Sequence, residues 1–354
     1  MRRGAGLGLA VGLLGLACGC GSTDRNGGRE TMSEAQEKAV ALLRLPDDEY
    51  PDLDEDRLLA LQGRLRDLLS KPPGTEALLA LGAPRTANLD ASKEIPLLVG
   101  VRYTARRAWE VHLDENALLV AVDLGTGALH AGWPLIKDKR RPTPVPSRTG
   151  PAPEGFKSKA LTTGVKRTDL ARSVEAVLGP SRLALTVIVY DWVSNTVVIE
   201  LTRRDVAPTE VAPRNPTTAL TRTTPGSGIP KLDGSGAALA ISKDIDPGDP
   251  VTIGGAVDLP LADAVVVPSA APGGGSLLVA NVLIRKLDET LPVSLELAVP
   301  AEVRGGPKDG SVRAYFEFDA LRMITGTRLS GEYQVYLITG VRVFGPYPLK
   351  VGVR

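Results

Sequence analysis

VSLELAV, at residues 293–299, and VRAYFEF, at residues 312–318, alternate apolar residues with polar or mixed ones. Successive side chains of a β-strand point to opposite faces of its sheet, so a period of two predicts strands that bury one face. Asp309-Gly310, just before the second stretch, is a dipeptide typical of hairpin turns. This part of the sequence therefore predicts an antiparallel β-hairpin.

Similar strand-like runs surround this hairpin on both sides. They lie at residues 237–242, 251–257, 264–267, 277–287, 333–339 and 349–353. So many short strands, separated by turn residues, are typical of two sheets packed face to face. We therefore predict that residues 237–354 form a β-sandwich.

A motif near the end of this region resembles immunoglobulin-like domains. Ser330-Gly331-Glu332-Tyr333-Gln334-Val335-Tyr336 is similar to the corner before their penultimate strand. The resemblance implies an immunoglobulin-like sandwich in which the Tyr333 hydroxyl bonds back to upstream backbone. The region lacks the paired cysteines and core tryptophan of antibody domains, and the fold resemblance implies no specific function.

Residues 91–206 predict a second β-rich domain ahead of the sandwich. A proline-rich segment at residues 142–153 interrupts it, and residues 173–178 predict a short helix. Its predicted strands lie at residues 97–103, 108–113, 117–122 and 128–133, with a buried hairpin at residues 183–190 and 196–202.

Between the two β-rich domains lies a stretch of unusual composition. Residues 207–236 contain five prolines and six threonines but almost no large apolar side chains. Such a segment cannot bury enough apolar surface to offset the entropy lost on ordering. We therefore predict a flexible Pro/Thr-rich linker.

Residues 33–90 predict a small helical region. Ser33 with Gln36, and Asp52 with Glu55, are capping-box patterns that open two helices. A third helix is predicted at residues 76–81. The second helix carries a leucine stripe at Leu58, Leu61, Leu65 and Leu68. The fold class is thus mainly β with a small N-terminal helical region.

Seven acidic residues fall within residues 47–56. Their spacing resembles the start of a calcium-binding loop, but Arg57 and Gly63 stand where an EF-hand requires glycine and glutamate. Negative charge at a helix N-terminus explains the run without a metal. Surface calcium binding is the alternative.

The sequence begins with Arg2 and Arg3, followed by an uninterrupted run of Gly, Ala, Leu and Val up to Ala17. A basic start, an apolar run and small residues at its end form a signal-peptide pattern. As a helix this run is about 21 Å long, short of the roughly 30 Å hydrocarbon core of a bilayer. We predict a signal peptide over residues 1–20 and a flexible tether over residues 21–32.

Cys18-Gly19-Cys20, directly after Ala17, resembles the bacterial lipobox. The resemblance implies a lipoprotein in which Cys20 or Cys18 is lipidated and becomes the new N-terminus. It places the protein in the cell envelope, anchored to a membrane and facing the periplasm or the exterior. A plain cleaved signal peptide is the alternative.

Cys18 and Cys20 are the only cysteines in the sequence. The rest of the chain therefore has no disulfide, no thiol mechanism and no cysteine-ligated metal. Without Arg2 and Arg3 the balance is 40 basic against 41 acidic residues. This disfavours nucleic-acid binding, which needs a basic excess to neutralise phosphates. We expect no cofactor and no metal.

Glu110, His112 and Asp114 alternate along one predicted strand, so their side chains share a face. Two carboxylates and an imidazole on one face could hold a metal or orient a general base. The apolar residues between them would then face the core, which makes an ordinary solvated face the alternative.

Tyr190, Asp191 and Trp192 lie in the loop of the predicted hairpin. Aromatic side chains at a loop tip can contact a glycan or a partner protein. The alternative is that they fold back and cap the core.

Asp123-Leu124-Gly125-Thr126-Gly127 resembles the first phosphate-binding loop of actin-like and sugar-kinase ATPases. The resemblance implies backbone N–H groups directed at a phosphate. The further phosphate and adenosine motifs of that family are not recognisable downstream. A glycine-rich β-turn between two strands is therefore the favoured interpretation.

Together these features predict a lipid-anchored cell-envelope protein that binds or scaffolds without catalysis. Its partners are a membrane, through the lipid, and an envelope protein or glycan. One alternative is an envelope polymer hydrolase with catalytic carboxylates in the first β-rich domain, because such pairs need only spatial proximity. The other is a structural spacer.

Overall fold

The computed structural model describes residues 33–69, 78–91, 94–104, 116–133, 161–174, 178–204, 206, 211–242, 245–246, 249–287, 292–306, 309–320 and 330–352. Strands account for 51% of the structure and helices for 15%, which confirms a mainly β fold with two β-rich parts. No helix within these ranges has the length and apolar character needed to cross a membrane.

Helices and strands are numbered in chain order. The helices are α1 (Glu34–Leu43), α2 (Glu55–Leu68) and α3 (Leu170–Val174). The strands are β1 (Leu78–Gly82), β2 (Thr86–Asn88), β3 (Pro96–Thr104), β4 (Leu118–Asp123), β5 (Leu129–Gly132), β6 (Leu161–Asp169), β7 (Ser181–Val189), β8 (Trp192–Val193), β9 (Val197–Thr202), β10 (Gly236–Ile241), β11 (Thr252–Pro260), β12 (Val265–Pro268), β13 (Ser276–Lys286), β14 (Val293–Arg304), β15 (Ser311–Asp319), β16 (Gly331–Thr339) and β17 (Arg342–Val351).

Each of the first two helices begins with a side chain that caps its N-terminus. The Ser33 hydroxyl accepts the Gln36 backbone N–H at 3.2 Å and opens α1, as predicted. The cap of α2 is Asp54, whose carboxylate accepts the Arg57 N–H at 2.8 Å. The prediction of Asp52 as the cap was wrong, because Asp54 is the last residue with extended backbone before the helix.

The first sheet has the strand order β1-β3-β6, with antiparallel neighbours. The helix predicted at residues 76–81 is wrong where the structure describes it, since Leu78 to Gly82 form β1 and pair with β3. Leu78 and Ala80 face the helices, whereas Leu79 and Leu81 face the opposite way. Burial on both faces overrides the helical propensity of leucine and alanine.

The second sheet has the order β2-β9-β7-β4-β5, and β8 also pairs with β7. The predicted hairpin is confirmed, because β7 and β9 are antiparallel with Leu185 opposite Val197. The predicted short helix begins earlier, at Leu170. The strand predicted at residues 108–113 lies outside the described residues.

The third sheet contains every strand predicted after residue 236, in the order β10-β11-β15-β14-β13-β16-β17, with β12 on β13. Its halves face each other across one apolar core, as in a sandwich. The strands of both halves are hydrogen-bonded into a single sheet. The two ends approach each other, and the Tyr347 hydroxyl lies 3.5 Å from the Ala237 carbonyl oxygen. Tyr333 is buried in this core.

The molecule has four layers, which are the helices followed by the three sheets. The layers pack together because alternate side chains of a strand face opposite neighbouring layers. In β4, Leu119 and Ala121 pack with the first sheet, whereas Leu118 and Val120 pack with the third. A strand buried on both faces reads as a continuous apolar run. This explains why β4 lacks the alternation of β14 and β15.

Residues 211–236, here called the strap, are hydrogen-bonded to the third sheet. They differ in this from the predicted flexible linker. Strands β14 and β15 pair only where Ala301–Arg304 of β14 lie opposite residues 311–314 of β15. Beyond these residues the two strands separate, and the strap lies between them. Thr217 N–H donates to the Ala298 carbonyl at 3.0 Å, and Thr221 N–H donates to the Glu317 carbonyl at 2.8 Å. Composition gave no sign of this, because the strap is held by strand-edge hydrogen bonds and packs few large apolar side chains, Leu220 and Ile229 among them.

Candidate functional site

The candidate site lies where the second and third sheets face each other. The centre of this contact is apolar, with Leu118 and Ile188 of the second sheet against Leu283 and Ile338 of the third. Polar and charged side chains are buried within and around it. Buried polar groups need partners, so their partners define what the site can do.

Arg285, on β13, is the most unusual of these side chains, because it is charged and only 2% exposed. Its two terminal nitrogens donate to the backbone oxygen and to the side-chain oxygen of Asn116, at 2.8 and 3.0 Å. No carboxylate among the described residues pairs with it. Burial lowers the pKa of the Arg285 guanidinium, since the charged form loses hydration.

Tyr190 covers one side of that guanidinium. The Arg285 Cζ lies 4.8 Å from the centre of the Tyr190 ring, a cation–π contact. The Tyr190 hydroxyl is buried and has no hydrogen-bond partner among the residues that the structure describes. Burial also raises the pKa of this hydroxyl, so it stays protonated and able to donate.

Tyr336, on β16, ties the backbone of Tyr190 to the third sheet. Its hydroxyl donates to the Tyr190 carbonyl oxygen and also lies 3.0 Å from Gln334 Oε1. A hydroxyl has a single proton, so it can serve only one of these acceptors fully. Burial raises the pKa of Tyr336 well above its ordinary value.

A second polar contact between the sheets involves the glycine-rich turn after β4. Asn281 Nδ2 donates to the Gly127 carbonyl at 2.9 Å. The Asp123 carboxylate accepts the backbone N–H groups of Gly125 and Thr126, at 2.7 and 3.0 Å. The N–H groups that a phosphate would need are therefore already bonded, which supports the β-turn interpretation.

The acidic run before and at the start of α2 also has structural partners. Asp47 accepts the backbone N–H groups of Arg85 and Thr86, at 2.7 and 3.2 Å. Asp54 caps α2. In the described part of the chain, no group of three His, Cys, Asp or Glu side chains is arranged to hold a metal ion.

Of the predicted site residues that the structure describes, Tyr190 lies in the polar cluster, and, besides burial, the neighbouring Asp191 carboxylate contributes to the raised pKa of Tyr336. Asp191 is exposed and Trp192 is half-buried against the core between the first two sheets. Glu110, His112 and Asp114 lie outside the described residues, as do Cys18 and Cys20.

Arg285, Asn116 and Tyr336 were not singled out from the sequence. One signal pointed to Arg285, which directly follows the largely apolar run SLLVANVLI of β13. A charged residue near the end of a run predicted to be buried needs a partner, and this partner lies 169 residues away in the chain. Sequence spacing cannot reveal it.

No protein-family model matches the sequence, and no curated protein matches it. The chain is similar to the crystal structure of a transglutaminase from red sea bream, with 10% sequence identity and a TM-score of 0.18. The similarity covers 82% of this chain and 34% of that chain, well under two thirds of its length. A TM-score this low supports no statement about fold or function.

Proposed function

We propose that this protein is a lipid-anchored component of the bacterial cell envelope that binds or scaffolds without catalysis. The observation that carries the proposal is the leader, in which Arg2 and Arg3, an apolar run and Cys18-Gly19-Cys20 occur in signal-peptide order. Lipidation of Cys20, with Cys18 as the alternative, would hold the folded body at a membrane surface.

The stacked layers support the scaffolding part of the proposal. Each sheet packs against the next through an apolar core, and the strap is hydrogen-bonded to the third sheet. Layers joined in this way present surfaces at fixed positions, as a binding module requires. We also propose an immunoglobulin-like relationship for the third sheet, on the basis of its strand count, its shared core and Tyr333.

Lipid labelling in a bacterial host tests the anchor. The full chain with its own leader is expressed with an alkyne analogue of palmitate, and Cys20→Ser is compared with Cys18→Ser as the matched control. We expect the label in the wild type and in Cys18→Ser, and its loss in Cys20→Ser. The reverse pattern would assign the anchor to Cys18. An unlabelled wild type whose mature N-terminus has an unmodified mass would contradict the proposal.

A turnover assay tests the non-catalytic part. The purified protein is incubated with cell-wall glycans and peptides, and we expect no saturable product formation. Turnover that a single Asp or Glu substitution abolishes would contradict this part and favour the hydrolase.

A further inference from the structure

The hairpin turn at Tyr190 holds this residue in a backbone conformation that tyrosine does not favour. Val189 pairs with Trp192, so Tyr190 and Asp191 form a two-residue hairpin turn, here called the Tyr190 turn. Tyr190 has a φ of 51°, at a turn position where glycine is preferred. Such strain persists only where the surroundings hold it. Here the contacts that hold it are those of the Tyr190 ring and carbonyl with Arg285 and Tyr336.

Arg285 adds a second unfavourable feature at the same place. A buried charge without an opposite charge costs stability, and a well-packed apolar side chain of similar volume is often neutral or better. Two neutral acceptors on Asn116 and a ring face offset only part of that cost. Stability alone therefore gives no reason for arginine at this position.

The unpaired hydroxyl of Tyr190 is the third feature. Burying a hydroxyl without a hydrogen bond is unfavourable, and phenylalanine would fill the same space without that penalty. Strain, an unbalanced cation and an unpaired donor thus coincide at one contact. Departures from ordinary packing that cluster in this way are typical of functional sites.

This contact can also open without disrupting the third sheet. The second and third sheets share no strand pairing in the described part of the chain, so side chains and single carbonyls join them here. Movement of the Tyr190 turn breaks the bond from Tyr336 and uncovers Arg285, while the strand pairs of β13 and β16 stay intact.

We propose that the Tyr190 turn is a gate and that Arg285, once uncovered, binds an anionic oxygen-bearing group of a ligand. Opening leaves a guanidinium and the hydroxyls of Tyr190 and Tyr336, which are all donors. A carboxylate or a phosphate supplies both the negative charge and the acceptor oxygens that this set lacks. The proposal rests on the binding role proposed above and does not depend on the lipid anchor.

Hydrogen exchange of the full chain, measured by mass spectrometry, tests the gate. We expect amides of residues 186–193 to exchange at a rate that changes little with urea, because local opening exposes little surface. Amides of residues 312–318, in the core of the third sheet, should follow the steep urea dependence of global unfolding. Tyr190→Phe removes the unpaired hydroxyl and should slow exchange in residues 186–193 by about fivefold or more. Equal urea dependence in both segments, or no slowing in Tyr190→Phe, would overturn the gate.

Anion titration of the same exchange tests the ligand class. Sodium phosphate and sodium acetate are compared with sodium chloride at equal ionic strength. Either anion should speed exchange in residues 186–193 about twofold when its concentration equals its dissociation constant for the open form. The more effective anion identifies the ligand group as phosphate or carboxylate.

Substitutions show whether that effect belongs to Arg285. Arg285→Gln should abolish it, whereas Arg64→Gln, on the exposed side of α2, should retain it. Arg285→Met replaces the glutamine variant if that variant does not fold. No effect beyond chloride, or the same effect without Arg285, would overturn the anion site. Neither experiment involves the leader, so failure here is distinguishable from failure of the anchor.

Discussion

The two faces of β13 differ in the groups that they bury. Along the middle of the strand, the inner face carries Leu278, Ala280, Val282 and Ile284, which pack in the core of the third sheet, whereas Ser276 and Lys286 stand at its two ends. The outer face carries Asn281 and Arg285 among apolar residues and meets the second sheet. The comparison teaches that the inner face is built for stability, whereas the outer face retains groups that stability does not explain.

The largest expected effect on stability is in the core that the inner face of β13 lines. Phe316→Ala removes a fully buried ring from the core of the third sheet. We expect the free energy of unfolding to fall by about 3–5 kcal/mol, because a cavity remains where the ring packed. Urea denaturation measures this loss. The matched control is Tyr315→Ala on the other face of β15, and a loss as large as that of Phe316→Ala would remove the distinction between the faces.

The next effect is at the turn that docks on the outer face. Gly127 has a φ of 78°, and a Cβ there would lie 2.3 Å from Val279 Cγ1. Gly127→Ala should therefore lower the free energy of unfolding by about 1–3 kcal/mol through strain and overpacking. Gly179→Ala is the control, since nothing lies within 4 Å of the added atom. An unchanged unfolding midpoint for Gly127→Ala would show that the two sheets are not in tight contact.

A polar contact between the first and second sheets gives an effect of similar size. Asn195 Oδ1 accepts from Leu81 N–H at 2.8 Å, and its Nδ2 donates to the Leu81 carbonyl at 2.9 Å. Asn195→Ala leaves both backbone groups buried and unpaired, so we expect a loss of about 1–3 kcal/mol. Thermal unfolding measures it. Stability equal to wild type would mean that water replaces both bonds.

The smallest effect is at the helical layer. Ser33→Ala removes the cap of α1 and should cost about 1 kcal/mol. Ser33→Asp should restore the stability, because aspartate caps as well as serine. Equal stability of the alanine and aspartate variants in a denaturation experiment would contradict the role of Ser33.

Sequence alone predicts the third sheet well, since strands such as β14 and β15 have one buried face and a period of two. It fails at β1 and β6. The five residues of β1 are buried on both faces and have helical propensity, whereas β6, with the sequence LTTGVKRTD, shows little apolar alternation. The strap is missed because its ordering depends on an opening in the third sheet, which no local pattern reveals.

The candidate site is less predictable than the fold. Tyr190 is recognisable as an aromatic residue at a turn, but its strained φ depends on contacts with β13 and β16. Arg285 is recognisable only as a charge directly after an apolar run. Its partner Asn116, and the lack of a carboxylate partner in the described part of the chain, are properties of the folded molecule.

The free energy of unfolding of Arg285→Met tests the central claim, that the outer face holds a charge for a purpose other than stability. Methionine keeps most of the apolar volume and removes the unbalanced charge. We expect the full-length variant to be as stable as the wild type in urea denaturation, or more stable by about 1–4 kcal/mol. A loss of about 3 kcal/mol or more would contradict the claim, because it would show that Arg285 holds the two sheets together.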